Sequence, residues 1–461
     1  VLDNATVRTA GTILKVSENK QRKATFIRLA DIPTEEKEVK FIKLLSNKNF
    51  DFQQRFYQVR LIDFQKIPGY PLSYWTPTKV RNIFDSEKVL DANNFNSPKN
   101  SLGKVRQGIA TGNNDRFLRF FWECSDNEYV QSMFPHAKGG EDGWVLFNSQ
   151  LMINWENEGG EVKRSPGGNG SPSQKLYKKR GLTWVLVKST GRRFAYLPNN
   201  CIFDVGGCSF FSERNEREYL LGLAGILNSK FFHSCILSVT PERQWNVGEL
   251  AVIPWPGFSE SLVQEVESKT EEIHQLRQNI YSFQTASPFF VKPLLLISNS
   301  DYDSHSNYFN HPFEDQFSPQ DYQEYLPPKF DRTGNLQGQF QKLANWEESM
   351  KNHCEDLAGE IDQLIYDELD IEEQTQEAIQ QEIYARTIES PEREQKRRES
   401  DIDYETEVKR LLQFFAQESL KEDDDGIVVF TLKGEDDDKS LLNHIKNQFQ
   451  KHFGDYAQDR M

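Results

Sequence analysis

The sequence predicts a mixed α/β chain, strand-rich in its first half and helical in its second, and three observations carry that expectation. Between residues 105 and 257, short apolar runs are punctuated by Gly139, Gly140, Gly143, Gly159, Gly160 and the loop Ser165-Pro166-Gly167-Gly168-Asn169-Gly170, as in a fold of many short strands and turns. Beyond Pro254-Trp255-Pro256 the apolar spacing changes to three and four residues, which is one face of an α-helix. From about residue 376 the chain becomes rich in Glu, Gln and Arg, a composition that buries little.

Taken in order, residues 1–17 read as a strand already in progress. Val1 and Leu2 are followed by a turn at Asp3 and Asn4 and by a β-rich run from Val7 to Val16, so something is expected to precede them. Residues 55–66 alternate through Phe56, Val59, Leu61 and Phe64 as a second sheet element, which Pro68, Gly69 and Pro71 break. They belong to a connector at 51–104 that leads into the strand-rich domain at 105–257. In the helical part, 258–375, Val266, Ile273, Leu276, Ile280 and Phe283 mark one amphipathic helix. Leu343, Trp346, Met350, Leu357, Ile361, Leu364 and Ile365 mark another of about seven turns. The two are expected to pack as an antiparallel pair across a long polar loop. Residues 376–461 form a loosely packed acidic appendage with one strand-like run, Ile427 to Leu432, between two acidic clusters.

At 461 residues the chain has room for several cores. No stretch approaches the roughly 18 to 20 apolar residues that a bilayer requires, and no apolar segment at the start reads as a signal peptide, so a cytoplasmic protein away from membranes is expected. The five cysteines, Cys124, Cys201, Cys208, Cys235 and Cys354, lack CxxC spacing and suggest neither a disulfide framework nor a metal site. The net charge of −15 conceals an asymmetry: residues 1–250 carry 35 basic and 26 acidic side chains, residues 251–461 carry 20 and 44. A polyanion would be met by the first part.

The most informative segment runs from Lys104 to Glu123. In Gly108-Ile-Ala-Thr111-Gly112-Asn113-Asn114-Asp115-Arg116-Phe117, two glycines bracket a tight turn, and Asn and Asp side chains hold the backbone within it. Lys104, Arg106, Arg116 and Arg119 flank it. Bare amides with arginine forks suit a phosphate, although the same residues also read as an ordinary turn between strands. A second basic stretch spans 163–193, where Lys163, Arg164, Lys175, Lys178, Lys179, Arg180, Lys188, Arg192 and Arg193 stand beside Tyr177 and Trp184 with no acidic residue among them. That is a plausible phosphate-contacting surface.

The block Gly108 to Glu123, with Asp115, Arg116, Arg119, Trp122 and Glu123, resembles the turn that opens the target recognition domain of adenine-specific DNA methyltransferases, and is most similar to its form in the BREX/Pgl type. Further blocks resemble the family in the same order. These are Ile67-Pro-Gly69-Tyr-Pro71-Leu-Ser-Tyr74-Trp75, Gly181-Leu-Thr183-Trp184 with Arg192-Arg193-Phe194 and Ile202-Phe203-Asp204, then Tyr219-Leu-Leu-Gly222, Leu227-Asn-Ser-Lys230 and Ile253-Pro254. The resemblance covers residues 1 to about 380.

It implies that residues 1–50, with Asn4-Ala-Thr6-Val7-Arg-Thr9 and Ile13-Leu-Lys-Val16, form the C-terminal edge of a class I methyltransferase sheet. Residues 105–257 become a strand-rich α+β target recognition domain, 258–375 a helical spacer and 376–461 the charged C-terminal appendage. It implies double-stranded DNA as partner, contacted by Lys104, Arg106, Thr111, Gly112, Asn113, Asn114, Arg116, Arg119, Lys175, Lys178, Lys179, Arg180, Trp184, Arg192 and Arg193. An N-terminal catalytic domain or subunit, and other phage-defence proteins, are implied as protein partners. S-adenosylmethionine and the Asn-Pro-Pro-Tyr tetrad that holds a flipped adenine belong to that catalytic part. Here the tetrad is absent: the Pro-Pro pair of this sequence sits in Leu326-Pro327-Pro328-Lys329, and no catalytic residue is assigned within the chain. The sequence departs from the family pattern at Gly139-Gly140-Glu141-Asp142-Gly143-Trp144, which leads almost directly to Asn154-Trp155. A fused restriction-modification enzyme and a non-catalytic specificity subunit or scaffold remain as alternatives.

Two weaker patterns carry less. Asp301, Asp303, His305 and His311 read as a polar loop rather than a metal site, because no periodicity presents them together. Asp31 with Glu35-Glu36-Lys37 mimics a nuclease arrangement without a strand to converge its carboxylates.

Overall fold

A computed structural model describes residues 11–13, 21–29, 32–46, 55–95, 97–124, 131–139, 144–170, 172–188, 191–240, 243–297, 325–328, 335–387, 390–422 and 440–460. The strand expected at 7–16 lies outside them, apart from residues 11–13, which carry no regular structure. The strand-like run at 427–432 and the residues Asp31, Asp301, Asp303, His305 and His311 also lie outside.

Strands β1 (Lys23–Ile27) and β2 (Phe56–Arg60) pair antiparallel, with helix α1 (Lys37–Ser46) between them. The second element is shorter than its alternation suggests, because Asp63 turns back on the Arg60 guanidinium (2.8 and 3.0 Å) and residues 61–66 coil into a 3-10 turn. Helix α2 (Thr78–Ile83) follows, then β3 (Lys88–Val89) and β4 (Asn100–Ser101), which β13 (Pro254–Trp255) joins as a small sheet.

The central sheet has the order β10 (Phe194–Leu197), β9 (Gly181–Val185), β12 (Gly207–Ser212), β5 (Gly103–Arg106), antiparallel throughout. Its alternate side chains divide between two cores, which is why its strands read as almost unbroken apolar runs. Leu182, Trp184, Phe194, Tyr196 and Phe210 face the larger core, while Ala195, Leu197 and Phe211 face a second one.

The larger core is closed by helices. Helices α5 (Arg217–Leu227) and α6 (Lys230–Val239) meet at a 66° bend where Ser229 caps α6 by accepting the Phe232 N–H. Among the described residues no single helix is long and apolar enough to cross a membrane, and the apolar side chains of this bent pair are buried in the core. After α7 (Val247–Ala251), the two long helices α8 (Glu260–Tyr281) and α9 (Leu336–Glu368) run antiparallel. Glu368 accepts the Ser259 N–H, Lys269 reaches Glu360, and His353 reaches Glu272, so residue numbers fall along one helix as they rise along the other. Val266, Ile273, Leu276, Leu357, Ile361 and Ile365 join the same core as the central sheet, which therefore takes side chains from both sides of residue 257.

Helix α10 (Glu373–Thr387) runs through the position where the composition turns acidic, and its Ile379 and Ile383 enter the larger core. Arg28 of the N-terminal hairpin segment pairs with its Glu382 at 2.5 Å. Helices α11 (Pro391–Arg398), α12 (Tyr404–Glu422), α13 (Leu441–Phe453) and α14 (Ala457–Arg460) complete the described chain. The acidic composition suggests loose packing here, yet Leu411, Phe415, Phe449 and Phe453 share a core with Leu295, Leu296 and Leu336. Their helical spacing hides an apolar stripe among charges.

Candidate nucleic-acid interface

The second core lies between the central sheet and a sheet of order β11 (Ile202–Phe203), β7 (Met133–Ala137), β8 (Leu151–Asn154), β6 (Leu118–Phe120). Helices α3 (Asn114–Phe117) and α4 (Glu156–Lys163) and the loop that follows α4 pack against this core. Ile109 and Phe117 sink into this core at either end of the first glycine turn. Val162 and Tyr177 do the same on either side of the 165–173 loop.

Between those anchors the two loops interlock. The Asn169 carboxamide accepts the Ala110 N–H at 2.9 Å and donates to the Gly108 carbonyl at 2.8 Å, and the Ser173 hydroxyl donates to the Gln107 carbonyl at 2.8 Å. Gly112 has φ +70°, and a Cβ on it would lie 2.3 Å from the Pro166 carbonyl oxygen. Glycine is required there both by the backbone and by the neighbouring loop. Asn113 caps α3 by accepting the Arg116 N–H at 3.0 Å, and the buried Thr111 donates its hydroxyl to Asn114 at 2.6 Å. The polar side chains of Thr111, Asn113 and Asn114 thus hold the turn itself, and what this stretch offers a ligand is its backbone and its cations.

The basic residues expected to share one surface divide in two. Lys104, Arg116, Arg119, Arg164, Lys175 and Lys179 are exposed. Arg116 pairs with Glu161 at 2.6 Å, both ends well exposed, so solvent leaves that pair weak. Arg119 folds back to donate to the carbonyls of Asp115 (2.9 Å) and Leu118 (2.6 Å). Lys178 is half-buried at φ +63°, with its ammonium 3.9 Å from the centre of the Phe134 ring, and Arg180 is also half-buried. Arg106 is held 2.5 Å from the fully buried Asp91 carboxylate.

Two further arginines, together with Trp184, face inward, contrary to the sequence expectation. Trp184 is 1% exposed and donates its indole N–H to the Trp245 carbonyl at 3.0 Å, because position 184 falls on the face of β9 that meets the larger core. Arg193 is equally buried, donating to the carbonyls of Arg243 (2.6 Å) and Lys188 (2.8 Å) above the Trp245 ring. Arg192 makes a two-pronged bond to Glu355 on α9 (2.7 and 2.9 Å) and covers Trp144. Sequence density of charge did not distinguish these structural arginines from surface cations. Conversely, Asn169 as the clasp between loops was marked only by its place within Gly-Gly-Asn-Gly.

Beneath the loops, Asp204 joins β11 to β7. It lies 3.3 Å from His136 Nε2 and accepts hydrogen bonds from Lys138 (3.0 Å) and the Gly206 N–H (2.8 Å). Burial pushes its carboxyl up, but the hydrogen bond and charge of His136, with Gly206 and Lys138, more than offset this and hold it below its ordinary value. The Asp204 carbonyl in turn accepts the Gly108 N–H at 3.3 Å, so this buried network supports the start of the glycine turn.

Neither the glycine-rich loop nor the Pro-Pro segment fits S-adenosylmethionine or the flipped adenine. Gly167 to Gly170 follow a helix rather than a strand and close against the 108–112 turn, leaving no cradle at the mouth of a sheet. Pro327 and Pro328 follow Tyr325, whose carbonyl is taken up by Trp346 and Asn279 of the helix pair.

No protein-family model matches the chain. Comparison with whole proteins is more informative: the chain is 26% identical over 360 residues to the adenine-specific methyltransferase BrxX of Escherichia coli O9:H4 (strain HS), covering 77% of this chain and 26% of that one. It is 26% identical over 294 residues to the adenine-specific methyltransferase PglX of Lacticaseibacillus casei (strain Zhang), covering 59% and 23%. These two matches support assignment of the chain to the BREX/Pgl-type adenine-specific methyltransferases. It spans about a quarter of the length of the curated relatives it matches. In this chain the interlocked loops, the exposed cations and the Asp204 network stand on one scaffold, the second core.

Proposed function

We propose that this chain is the DNA-recognition part of an N6-adenine-specific DNA methyltransferase in a BREX-like phage-defence system, and that the residues performing methyl transfer lie outside it. The observation that carries this reading is the pair of clasped glycine loops with exposed Arg116, Arg119, Arg164, Lys175 and Lys179 around them. Backbone amides and cations on a rigid support are what grip a phosphate backbone and set its register. S-adenosylmethionine belongs, in this reading, to a catalytic domain or subunit that flips the adenine, while this part holds the duplex and selects the site. The similarity to adenine-specific methyltransferases supports DNA as the substrate class, and the absence of an Asn-Pro-Pro-Tyr tetrad from the sequence supports the division of labour.

The test is a salt titration of binding to a short random-sequence duplex by fluorescence anisotropy. Neutralising Arg164, Lys175 and Lys179 to glutamine should weaken binding to all sequences alike and lower the slope of log affinity against log salt by roughly 0.9 for each phosphate that is no longer neutralised. A slope equal to that of the unaltered chain would overturn the assignment of this surface.

A further inference from the structure

Strand β6, at the edge of the second sheet, and the 3-10 turn after it present two large aromatic side chains to solvent. Phe120 is 40% and Trp122 51% exposed, and their rings stack almost parallel, 4.6 Å apart with 4° between planes. Single exposed apolar residues need no explanation, but a rigid stacked pair is a different object. Its rigidity comes from below. Glu123 accepts the Phe120 N–H at 2.8 Å, the Phe121 N–H is taken by the Gln150 carbonyl at 2.9 Å, and the Phe121 ring meets Trp122 edge-on at 5.0 Å. The rings therefore have little freedom left to lose when they bind.

Their surroundings point to a nucleic acid rather than an apolar partner. Arg119 immediately precedes the pair, its guanidinium held by two backbone carbonyls, and Arg116 lies one turn earlier. Leu118 and Phe120 pair with Ile153 and Leu151 of β8, the strand that leads directly into α4 and the clasped 165–173 loop. Aromatic faces and phosphate-binding cations thus share one frame. Planar side chains at the edge of a cationic surface can stack on bases where a duplex opens, and apolar wedges between base steps kink or unstack them.

We propose that Phe120 and Trp122 form an aromatic wedge that stacks on a base step of bound DNA beside the clasped loops. The inference rests on the reading of this chain as a DNA-binding part and adds a contact to the bases themselves. A wedge must unstack a step, so a duplex in which one central pair is mismatched, and already easier to open, should bind more tightly.

The experiment compares the full chain and its variants on a random-sequence duplex and on the same duplex with one central mismatch, by anisotropy across a salt series. The unaltered chain should prefer the mismatched duplex by roughly tenfold, within the range expected for one aromatic–base stack. Phe120→Ala and Trp122→Ala should each remove that preference while leaving the salt slope unchanged. Trp122→Phe, which keeps a stacking ring, should retain most of it and serves as the folded control. Salt-dependent binding with no mismatch preference in the unaltered chain would overturn the wedge and leave the DNA-binding reading standing. Loss of affinity for both duplexes alike in the alanine variants, or loss of preference in Trp122→Phe, would also overturn it. An unaltered chain with no salt-dependent binding would remove the underlying reading itself.

Discussion

Replacing Gly112 by alanine isolates the contact between the two clasped loops, because Gly170 provides an internal control. Both have positive φ, +70° and +68°, so an alanine at either pays about 1–2 kcal/mol for left-handed backbone. At Gly170 nothing lies within 4 Å of the added methyl, and the penalty ends there. At Gly112 the methyl would sit 2.3 Å from the Pro166 carbonyl oxygen and 2.7 Å from the Gly168 nitrogen, both backbone atoms that cannot swing aside. Forcing it in costs about 1–3 kcal/mol more as overpacking. Separating the loops instead breaks the two Asn169 hydrogen bonds at about 0.5–1.5 kcal/mol each, a similar sum. Gly112→Ala should therefore destabilise the loops by about 2–5 kcal/mol against about 1–2 for Gly170→Ala. Hydrogen exchange of peptides spanning 107–117 and 165–173 reads this difference directly. The extra term should speed exchange roughly 5- to 150-fold over the control. Equal exchange in the two variants would refute the claim that the loops are held together at Gly112.

Two further outcomes follow from the buried charges. Glu355→Ala removes the carboxylate that takes two hydrogen bonds from the Arg192 guanidinium, 12% exposed, and should lower stability by about 1.5–3 kcal/mol in denaturant unfolding; the double variant Arg192→Leu, Glu355→Leu should recover part of that loss. A depressed carboxyl stabilises the fold when ionised, so the contribution of Asp204 is complete above its ordinary value of 3.8 and fades as pH falls through its lower folded value. The difference in melting temperature between the unaltered chain and Asp204→Asn should accordingly shrink as pH falls below 3.8; a difference that stays unchanged as Asp204 is protonated would contradict the network.

Elements whose cause is local were legible in the sequence. The change of period after Pro256 located α8 and α9, because a helix buries a stripe set by its own geometry. The turn at 108–117 was legible because Gly112, Asn113 and Asn114 build it from contacts within a few residues. The order of the motif blocks likewise pointed to the BREX/Pgl-type methyltransferases to which the two relatives' similarity also points. The apolar stripe in α12 and α13 was equally local, but the surrounding charges masked it.

What only the tertiary structure decided is which of these residues remain on the surface. Arg192 is taken by a carboxylate 163 positions away, Arg193 by a carbonyl 50 away and Trp184 by a carbonyl 61 away. Asn169 clasps a turn 59 positions before it. None of these partners leaves a mark in the local pattern, so a run of cations reads the same whether its members face solvent or a buried acceptor. Sequence by itself determined the kinds of element, the charge of each half and the family resemblance, because propensity, period and motif are carried along the chain. The fold alone determined which cations remain outside, because desolvating a guanidinium is tolerated only where distant carbonyls and carboxylates converge to receive it.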